Sequence, residues 1–401
     1  MQSAIAVTYE LDDTAVAAEE LVRQIKEKID FKEESIGILY TETNMDFGEL
    51  AELLYQQLGI TVIGGSTANA ATITNEGYHE LAVILHVLTA DDCIFSTAIS
   101  EPLDIDPEWR VIETYRKALK DLKEKDAAAE PKMLYVIASM LPDFSSDSIV
   151  SALTKVSSGL PAFGFLAADD FKFSDQQVFL NETNGGNRVA VLLIAGNVQP
   201  IYEVRNLESS EKLSRRKITK SHDNIICEID DKPAIEYLKE FSFISDDSTM
   251  LWNYQFFVDL ATDPHSDEVT VSRALLTLDS ESGEILCFAN IPENSYISLH
   301  YSNDKDVRNS CEKALDEVLE KVNENSENGY EYSTMLISSG SLRNLFLTSE
   351  KDAEGVLVNR KLPTSFVTSG VYGFGEIAPT SFNRGKAVNN YYNAAIAICA
   401  L

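Results

Sequence analysis

Residues 36–65, IGILYTETNMDFGELAELLYQQLGITVIGG, decide the fold class of this 401-residue chain. The apolar run at residues 36–40 predicts a short buried strand, and leucines then recur on one helical face from residue 46 to about residue 57. A second apolar run, residues 61–63, predicts another strand that enters a stretch of small residues. A strand, a helix and a second strand in this order predict an α/β fold.

The same alternation continues on both sides of this stretch. Residues 5–7 predict a strand, and Asp13 is placed to cap the helix that follows it. Residues 81–88 are almost wholly apolar, which predicts a strand buried on both faces. Asp106 followed by Pro107 predicts the start of a further helix, because proline suits the first helical position.

About a hundred residues later the pattern begins again. A repeat of this length is longer than solenoid periods and predicts a duplicated half-domain. We therefore expect residues 36–88 and 134–195 to share strand order and direction. The matched features are residues 38–40 with 133–135, Asp46-Phe47 with Asp143-Phe144, Gly59 with Gly159, Gly64 with Gly164, and the strand from Leu81 with residues 189–195.

A weaker third copy of the pattern closes the chain. Residues 332–337 and 365–371 predict strands, residues 373–376 a turn, and residues 393–401 a terminal strand. Ahead of them, residues 307–322 carry an apolar stripe typical of a helix.

Apolar periodicity lapses between Gly196 and Asp231, where charged residues cluster. We therefore predict two parts: an internally duplicated α/β unit at residues 1–205 and a further α/β domain at residues 206–401.

The composition excludes several classes of protein. A net charge of −31 opposes binding to nucleic acid, because phosphate backbones would be repelled. Five cysteines without a CxxC pair or zinc spacing indicate a reducing compartment. The N-terminus lacks the features of a signal peptide, and no apolar run approaches the roughly 20 residues of a membrane helix. We expect a cytoplasmic protein that does not enter membranes.

Few residues indicate catalysis or a bound metal. The five histidines have no metal-binding spacing. His86 lies inside an apolar strand; we interpret it first as a hydrogen-bonded core residue, with a haem ligand as the alternative. The acidic pairs 91–92 and 169–170 are interpreted as caps or turns, with acid/base chemistry as the alternative. The serine-rich residues 338–341 lack a nucleophile elbow. We expect neither enzymatic activity nor a cofactor.

Two local features predict a ligand site. Gly64-Gly65 and Gly164 are interpreted as turns whose amides could approach an anion, or as tight strand connections. Glu376 lies between Gly375 and an apolar segment, where an unpaired carboxylate would be costly. A role in a pocket and a buried ion pair with Arg343 both remain open for it.

Several segments resemble the FIST family. Residues 60–74 (ITVIGGSTANAATIT) and 160–170 (LPAFGFLAADD) resemble its N-terminal signatures, and residues 218–238 resemble the junction between its two parts. Residues 335–343 (MLISSGSLR) and 372–379 (YGFGEIAP) resemble its C-terminal signatures.

The resemblance implies an intracellular sensory module for small ligands such as amino acids. No output segment is recognisable, so we expect a separate signalling partner. Asn69-Ala70 stands where the family tends to have Gly-Glu, and residues 338–341 lack a cysteine usual before the arginine, so the ligand is expected to differ. A haem-based gas sensor is the alternative, and an enzyme the third possibility. The expected ligand-binding residues are Gly65, Ser66, Thr67, Ser339, Arg343, Tyr372, Gly375 and Glu376.

Overall fold

Three copies of one α/β unit, with a β-barrel inserted into the third copy, make up the fold. The computed structural model describes residues 1–68, 71–141, 144–209, 212–240, 251, 255–265 and 271–401. The expectations that involve Asn69, Ala70 and Asp143 lie outside these residues.

The first unit begins with a strand and a helix whose N-cap is Asp13, as predicted: its carboxylate accepts hydrogen bonds from two backbone amides. Asp46 caps the second helix in the same way. The elements are β1 (Gln2–Thr8), α1 (Thr14–Lys28), β2 (Glu34–Thr41), α2 (Phe47–Leu58), β3 (Thr61–Ser66), the hairpin strands β4 (Thr72–Thr74) and β5 (Gly77–His79), and β6 (Val83–Ala90).

The second unit repeats this element order. Its first helix has Pro107 at its start, as predicted, but Asp106 makes no side-chain cap. The elements are β7 (Cys93–Ile99), α3 (Pro107–Lys125), β8 (Pro131–Ala138), α4 (Ser146–Val156), β9 (Ala162–Leu166), the hairpin strands β10 (Val178–Leu180) and β11 (Thr183–Gly185), and β12 (Val189–Gly196).

The third unit opens with β13 (Ile201–Arg205), and the chain then leaves it to form a barrel that the sequence analysis does not identify. The barrel strands pair in the order β14-β20-β17-β18-β19-β15-β16, and a pairing of β14 with β15 closes the ring. Its elements are β14 (Arg216–His222), β15 (Ile225–Ile229), β16 (Lys232–Pro233), α5 (Ile235–Leu238), β17 (Phe256–Ala261), β18 (Val271–Leu278), β19 (Ile285–Cys287) and β20 (Tyr296–Tyr301).

After the barrel, the chain completes the third unit. The predicted stripe on its long helix is confirmed, because Val307, Cys311, Ala314 and Val318 are fully buried. The elements are α6 (Asp304–Glu327), β21 (Thr334–Gly340), α7 (Ser341–Phe346), α8 (Ala353–Lys361), β22 (Val367–Gly373), the hairpin strands β23 (Gly375–Asn383) and β24 (Lys386–Tyr392), and β25 (Ile396–Ala400).

Strand order and direction confirm the predicted duplication and extend it to three copies. The sheets contain the runs β1-β6-β2-β3, β7-β12-β8-β9 and β13-β25-β21-β22. In each run the first two pairings are antiparallel and the last is parallel. The weak third copy in the sequence is therefore a complete structural unit.

Each unit also gives its hairpin to another unit's sheet. Strand β10 pairs with β3, β23 with β9, and β4 with β22, all antiparallel. The exchange links the three units in a closed cycle, and strands from both predicted parts share sheets. The boundary between residues 205 and 206 stays a prediction.

The paired glycines have a structural role that differs from the predicted turn. Gly64 and Gly164 lie inside β3 and β9, not in turns. A Cβ atom on Gly64 would overlap the carbonyl oxygen of Leu39, and one on Gly164 that of Val136. Glycine is therefore required here because neighbouring strands approach closely.

Candidate functional site

Arg343, in the short helix α7, is fully buried and its guanidinium is saturated by the protein. A guanidinium has five N–H donors. Its Nε and Nη2 atoms donate to Glu354 Oε1 at 3.0 and 2.7 Å. The remaining acceptors are Ser310 Oγ at 2.9 Å, Val307 O at 3.0 Å and Ala394 O at 3.3 Å. No N–H group of Arg343 is left over for a ligand.

Of the two roles left open for Glu376, the ion pair with Arg343 is not formed, because Glu354 takes that place. Glu354, near the start of α8, is fully buried as well. Glu354 cannot be recognised from the sequence, because residues 349–354, SEKDAE, have the composition of an exposed turn.

Glu376 nevertheless lies beside Arg343, on the same peptide group. Its Oε2 atom accepts a hydrogen bond of 2.8 Å from the amide of Ala395, while Arg343 donates to the carbonyl of Ala394. Its Oε1 atom is buried without a hydrogen-bond partner. Burial raises the pKa of the Glu376 carboxyl well above its usual value; the Ala395 amide and Arg343 oppose this effect, and Glu354 adds to it. The raised pKa favours the neutral form of this carboxyl.

Three other predicted residues lie around this cluster. Ser339 donates to Glu354 Oε2 at 2.9 Å. Tyr372 is fully buried, and its pKa is raised well above the usual value by burial first and then by the charge of Glu354. Gly375 leaves room for the ring of Tyr391, which a Cβ atom would overlap. These residues support the cluster and none of them offers a free donor to a cavity.

The predicted residues Gly65, Ser66 and Thr67 lie elsewhere, at the junction of the first and second units. The Ser66 hydroxyl accepts a hydrogen bond of 2.9 Å from the amide of Gln177, in the segment before the exchanged strand β10. None of the three cavities described below is lined by these residues. Their role in ligand binding stays a prediction.

A cavity of about 800 Å³ lies between the barrel and the second unit, and we call it the barrel cleft. Apolar residues such as Met140, Leu141 and Phe144 form much of its wall, and residues 276–277 and 287–290 form the barrel side. Ser145 and Ser148, at the N-terminus of α4, and Asn290 supply hydroxyl and amide groups.

Arg273 anchors the barrel beside this cleft. Its Nη2 atom donates to Asp147 Oδ1 at 2.6 Å, and the other Asp147 oxygen accepts from the amide of Asn290 at 2.9 Å. The side chain of Asn290 donates to Ser145 Oγ at 3.1 Å, but its Oδ1 atom is buried without a partner. One wall of the cleft therefore has a fixed geometry and an unused hydrogen-bond acceptor.

A much smaller cavity, which we call the inner cavity, lies behind the barrel cleft. Its volume is about 10 Å³, and its walls include Gly340, Ser341 and Asn393. Phe173 and Phe288 line both the inner cavity and the barrel cleft. These two rings therefore separate the large cavity from the inner cavity. The Glu376 cluster lies next to the inner cavity, because a Cβ atom on its wall residue Gly340 would lie 2.7 Å from Glu376 Oε1.

A third cavity of about 1060 Å³, the charged cleft, lies between β13, α6 and the hairpin of β23 and β24. Many of the charged side chains in its wall are already paired with one another. The pairs are Arg205 with Glu317, Lys321 with Glu203, and Lys212 with Asp259.

Comparison with known protein families covers most of the chain. Residues 35–232 match the FIST N domain and residues 234–379 match the FIST C domain. The chain belongs to the FIST family. This confirms the resemblance, and FIST domains are generally described as sensory domains that bind small ligands in signalling. A search of curated proteins finds no match to the chain.

His86 of this FIST protein is a hydrogen-bonded core residue, as first interpreted. It is fully buried, and its Nδ1 atom lies 2.7 Å from the hydroxyl of Ser369. Burial lowers its pKa to about 3, so the ring is neutral. None of the three cavities above reaches it.

The barrel of the FIST protein contains a serine, a histidine and an aspartate in contact. His300 Nε2 lies 3.1 Å from Asp259 Oδ1, and Ser302 Oγ lies 3.2 Å from His300 Nδ1. Burial alone would raise the pKa of Asp259, but hydrogen bonding to His300 and the charge of Lys212 lower it to about 2. Ser302 is fully buried and lines none of the three cavities, so this network stabilises the barrel and does not expose a nucleophile.

The described residues of this FIST chain contain neither a candidate membrane helix nor a candidate metal site. No helix among them has both the length and the apolar character that a membrane span requires. Within the same ranges, histidine, cysteine, aspartate and glutamate side chains form no group of three that could hold a metal ion.

Proposed function

We propose that this protein is a sensor that binds a small molecule in the barrel cleft and passes the signal to a separate protein. The family supports the first part, since FIST domains are described as sensory and ligand-binding. All five cysteines are free thiols, which suits a reducing compartment and supports a location in the cytoplasm.

The volume and the walls of the barrel cleft carry this proposal. Its volume of about 800 Å³ lies within the range of small-molecule sites, which are mostly apolar with a few fixed polar groups. Such sites form preferentially between domains. The barrel cleft meets these conditions, whereas many of the charged groups in the charged cleft already neutralise one another.

The polar groups of the cleft suggest the kind of ligand. Helix α4 presents its N-terminus there, with Ser145 as N-cap and Ser148 in the first turn. Backbone amides and hydroxyls at a helix N-terminus favour a carboxylate or carbonyl oxygen. Amino acids and other small carboxylic acids are therefore the first ligands to test.

A thermal-shift screen of amino acids and small carboxylic acids tests the proposal. A ligand present at a hundred times its dissociation constant should stabilise the fold by about 2.7 kcal/mol. Thr277 lines the cleft, so Thr277→Trp should fill it and abolish the shift. Glu281 is exposed in a turn of the same barrel, so Glu281→Trp should keep the shift.

Two results would contradict the proposal. One is a ligand whose thermal shift is the same in wild type and Thr277→Trp, because it would bind outside the cleft. The other is a screen in which no compound of these classes stabilises the protein.

A further inference from the structure

Phe173 separates the barrel cleft from the inner cavity. Its ring stacks on Phe374, with centroids 4.8 Å apart, and contacts Phe288 at 6.1 Å. About 38% of its surface is nevertheless exposed, which is high for a ring that lines two cavities. Rotation of this side chain would move one of the two rings that separate the cavities.

The segment that carries Phe173 is conformationally strained. Asp170, Phe171 and Phe173 have φ angles of 37°, 61° and 58°, which residues with a Cβ atom rarely adopt. The buried carboxylate of Asp169 imposes this conformation, because it accepts the amides of residues 173, 174 and 175 at 2.7–2.8 Å. Strain of this kind is often found in segments that move on ligand binding.

The inner cavity presents hydrogen-bond acceptors that nothing satisfies. Asn393 lines it, is only 3% exposed, and has an Oδ1 atom without a partner. Its Nδ2 atom donates to the hydroxyl of Tyr391 at 2.9 Å, which fixes the amide with its oxygen free. Glu376 does not line the cavity, but its unpartnered Oε1 atom lies next to Gly340, which does. Buried polar atoms without partners are costly, so their presence calls for a missing donor.

We propose that Phe173 is a gate, and that behind it Asn393 and Glu376 form a subsite for a primary amine of the ligand. The inference rests on the proposed function, since the rest of the ligand occupies the barrel cleft. An ammonium group carries three donors and no acceptor, which matches a pocket of free oxygens. A carboxylate brings only acceptors, with which the free amide oxygen of Asn393 cannot pair. The amine end of the ligand thus enters the inner cavity, and its acidic end stays near α4.

Cysteine labelling tests the gate without knowledge of the natural ligand. Ser341 lines the inner cavity and is 4% exposed, so Ser341→Cys places a thiol in the subsite. The probes are 2-aminoethyl and 2-sulfonatoethyl methanethiosulfonate. In each case the thiolate attacks the thiosulfonate sulfur, a mixed disulfide forms and methanesulfinate leaves. The five native cysteines are buried, and wild type gives their background rate.

Ser148→Cys, in the barrel cleft, is the matched control, because the net charge of −31 attracts the cationic reagent at both positions. The ratio of aminoethyl to sulfonatoethyl rates should be at least about tenfold higher at Ser341→Cys than at Ser148→Cys, which corresponds to 1.4 kcal/mol. Adding Phe173→Ala should raise both rates at residue 341 and leave those at residue 148 unchanged. Phe173→Leu replaces Phe173→Ala if the latter does not fold.

Equal rate ratios at the two positions would overturn the amine subsite. If the Phe173 substitution leaves the labelling rates of Ser341→Cys unchanged, the gate is overturned. If residue 148 is labelled and residue 341 is not, the subsite fails while the barrel cleft stands. If neither thiol is labelled above background, the cleft is closed to small molecules and both proposals fail.

Discussion

The same substitution at two buried carboxyls should have opposite consequences for stability. Glu354 and Glu376 are both fully buried beside Arg343. Glu354 hydrogen-bonds to it directly, and Glu376 binds the same peptide group as Arg343 does. Glu354→Gln removes the only carboxylate that hydrogen-bonds to Arg343 among the described residues. Glu376→Gln replaces a carboxyl whose raised pKa favours its neutral form with a neutral amide of nearly the same shape.

The magnitudes follow from the charge that each change leaves behind. Without the carboxylate of Glu354, Arg343 becomes a buried cation without a counter-charge, which costs about 3–5 kcal/mol. Gln at position 376 still offers an oxygen to the amide of Ala395 and changes no net charge. We expect its cost to be within about 1 kcal/mol.

The dependence on pH adds a second test of Glu376. Its pKa in the folded protein is raised above 4.5, so the folded chain keeps a proton that the unfolded chain releases as pH rises. The stability it contributes is complete below the unfolded pKa and declines by about 1.4 kcal/mol per pH unit until the folded-state pKa is passed. Wild type should therefore lose stability relative to Glu376→Gln as pH increases.

Urea unfolding followed by circular dichroism measures all three proteins, at about pH 5 and about pH 7, where the linkage effect is largest for a raised carboxyl pKa. Equal costs for Glu354→Gln and Glu376→Gln would refute the assignment of the charge to Glu354. A wild type that gains stability over Glu376→Gln with rising pH would show that Glu376 is ionised.

Three further outcomes are expected. Asp169→Ala should destabilise the protein by more than about 2 kcal/mol, because three backbone amides lose their acceptor. It should also expose residues 170–175 to proteases. A variant that stays stable and protease-resistant would contradict the role of Asp169. Gly164→Ala should cost at least about 2 kcal/mol in urea unfolding through overlap with Val136. Gly186→Ala should cost far less, because its Cβ atom would meet only the carbonyl oxygen of Gln176, at 3.3 Å; similar costs would argue against the strand packing. The purified protein should show no Soret absorption, since none of the three cavities reaches His86, and stoichiometric haem after expression with adequate iron would disprove this.

Local signals in the sequence predicted the repeated units well. Asp13 caps its helix where expected, because a cap depends on residues within one turn, and α2 begins next to Asp46, where the leucine pattern placed it. Gly59 and Gly159 both adopt the left-handed conformation at the ends of α2 and α4, as their matching positions suggested. The predicted match of Tyr135 with Tyr40 is wrong by two residues. The amide of Thr67 donates to Thr41 in the first unit as the amide of Ala167 donates to Ala138 in the second, so Thr41 corresponds to Ala138 and Tyr40 to residue 137.

Features that depend on distant contacts were not predictable in the same way. Several barrel strands are only two to five residues long, too short to show a clear periodicity. Glu354 is buried because α8 packs on the hairpin of the first unit, where Gly355 leaves room for the backbone of Tyr78. Nothing within residues 349–354 indicates that contact, so the partner of Arg343 could not be found from local sequence.

The regularity of the three units argues that Glu376 is not there for the fold. By strand register, Val178 in the second unit's hairpin occupies the position of Glu376, because Val178 pairs with Gly65 as Glu376 pairs with Phe165. Val178 is fully buried, so the same frame accepts an apolar side chain at this point. A carboxyl with one unpartnered oxygen costs free energy that a valine would not. A residue that is unfavourable at a position where another copy of the unit has a favourable one is expected at functional sites. The third unit, which also carries the inserted barrel, is therefore where we propose that the amine end of the ligand is recognised.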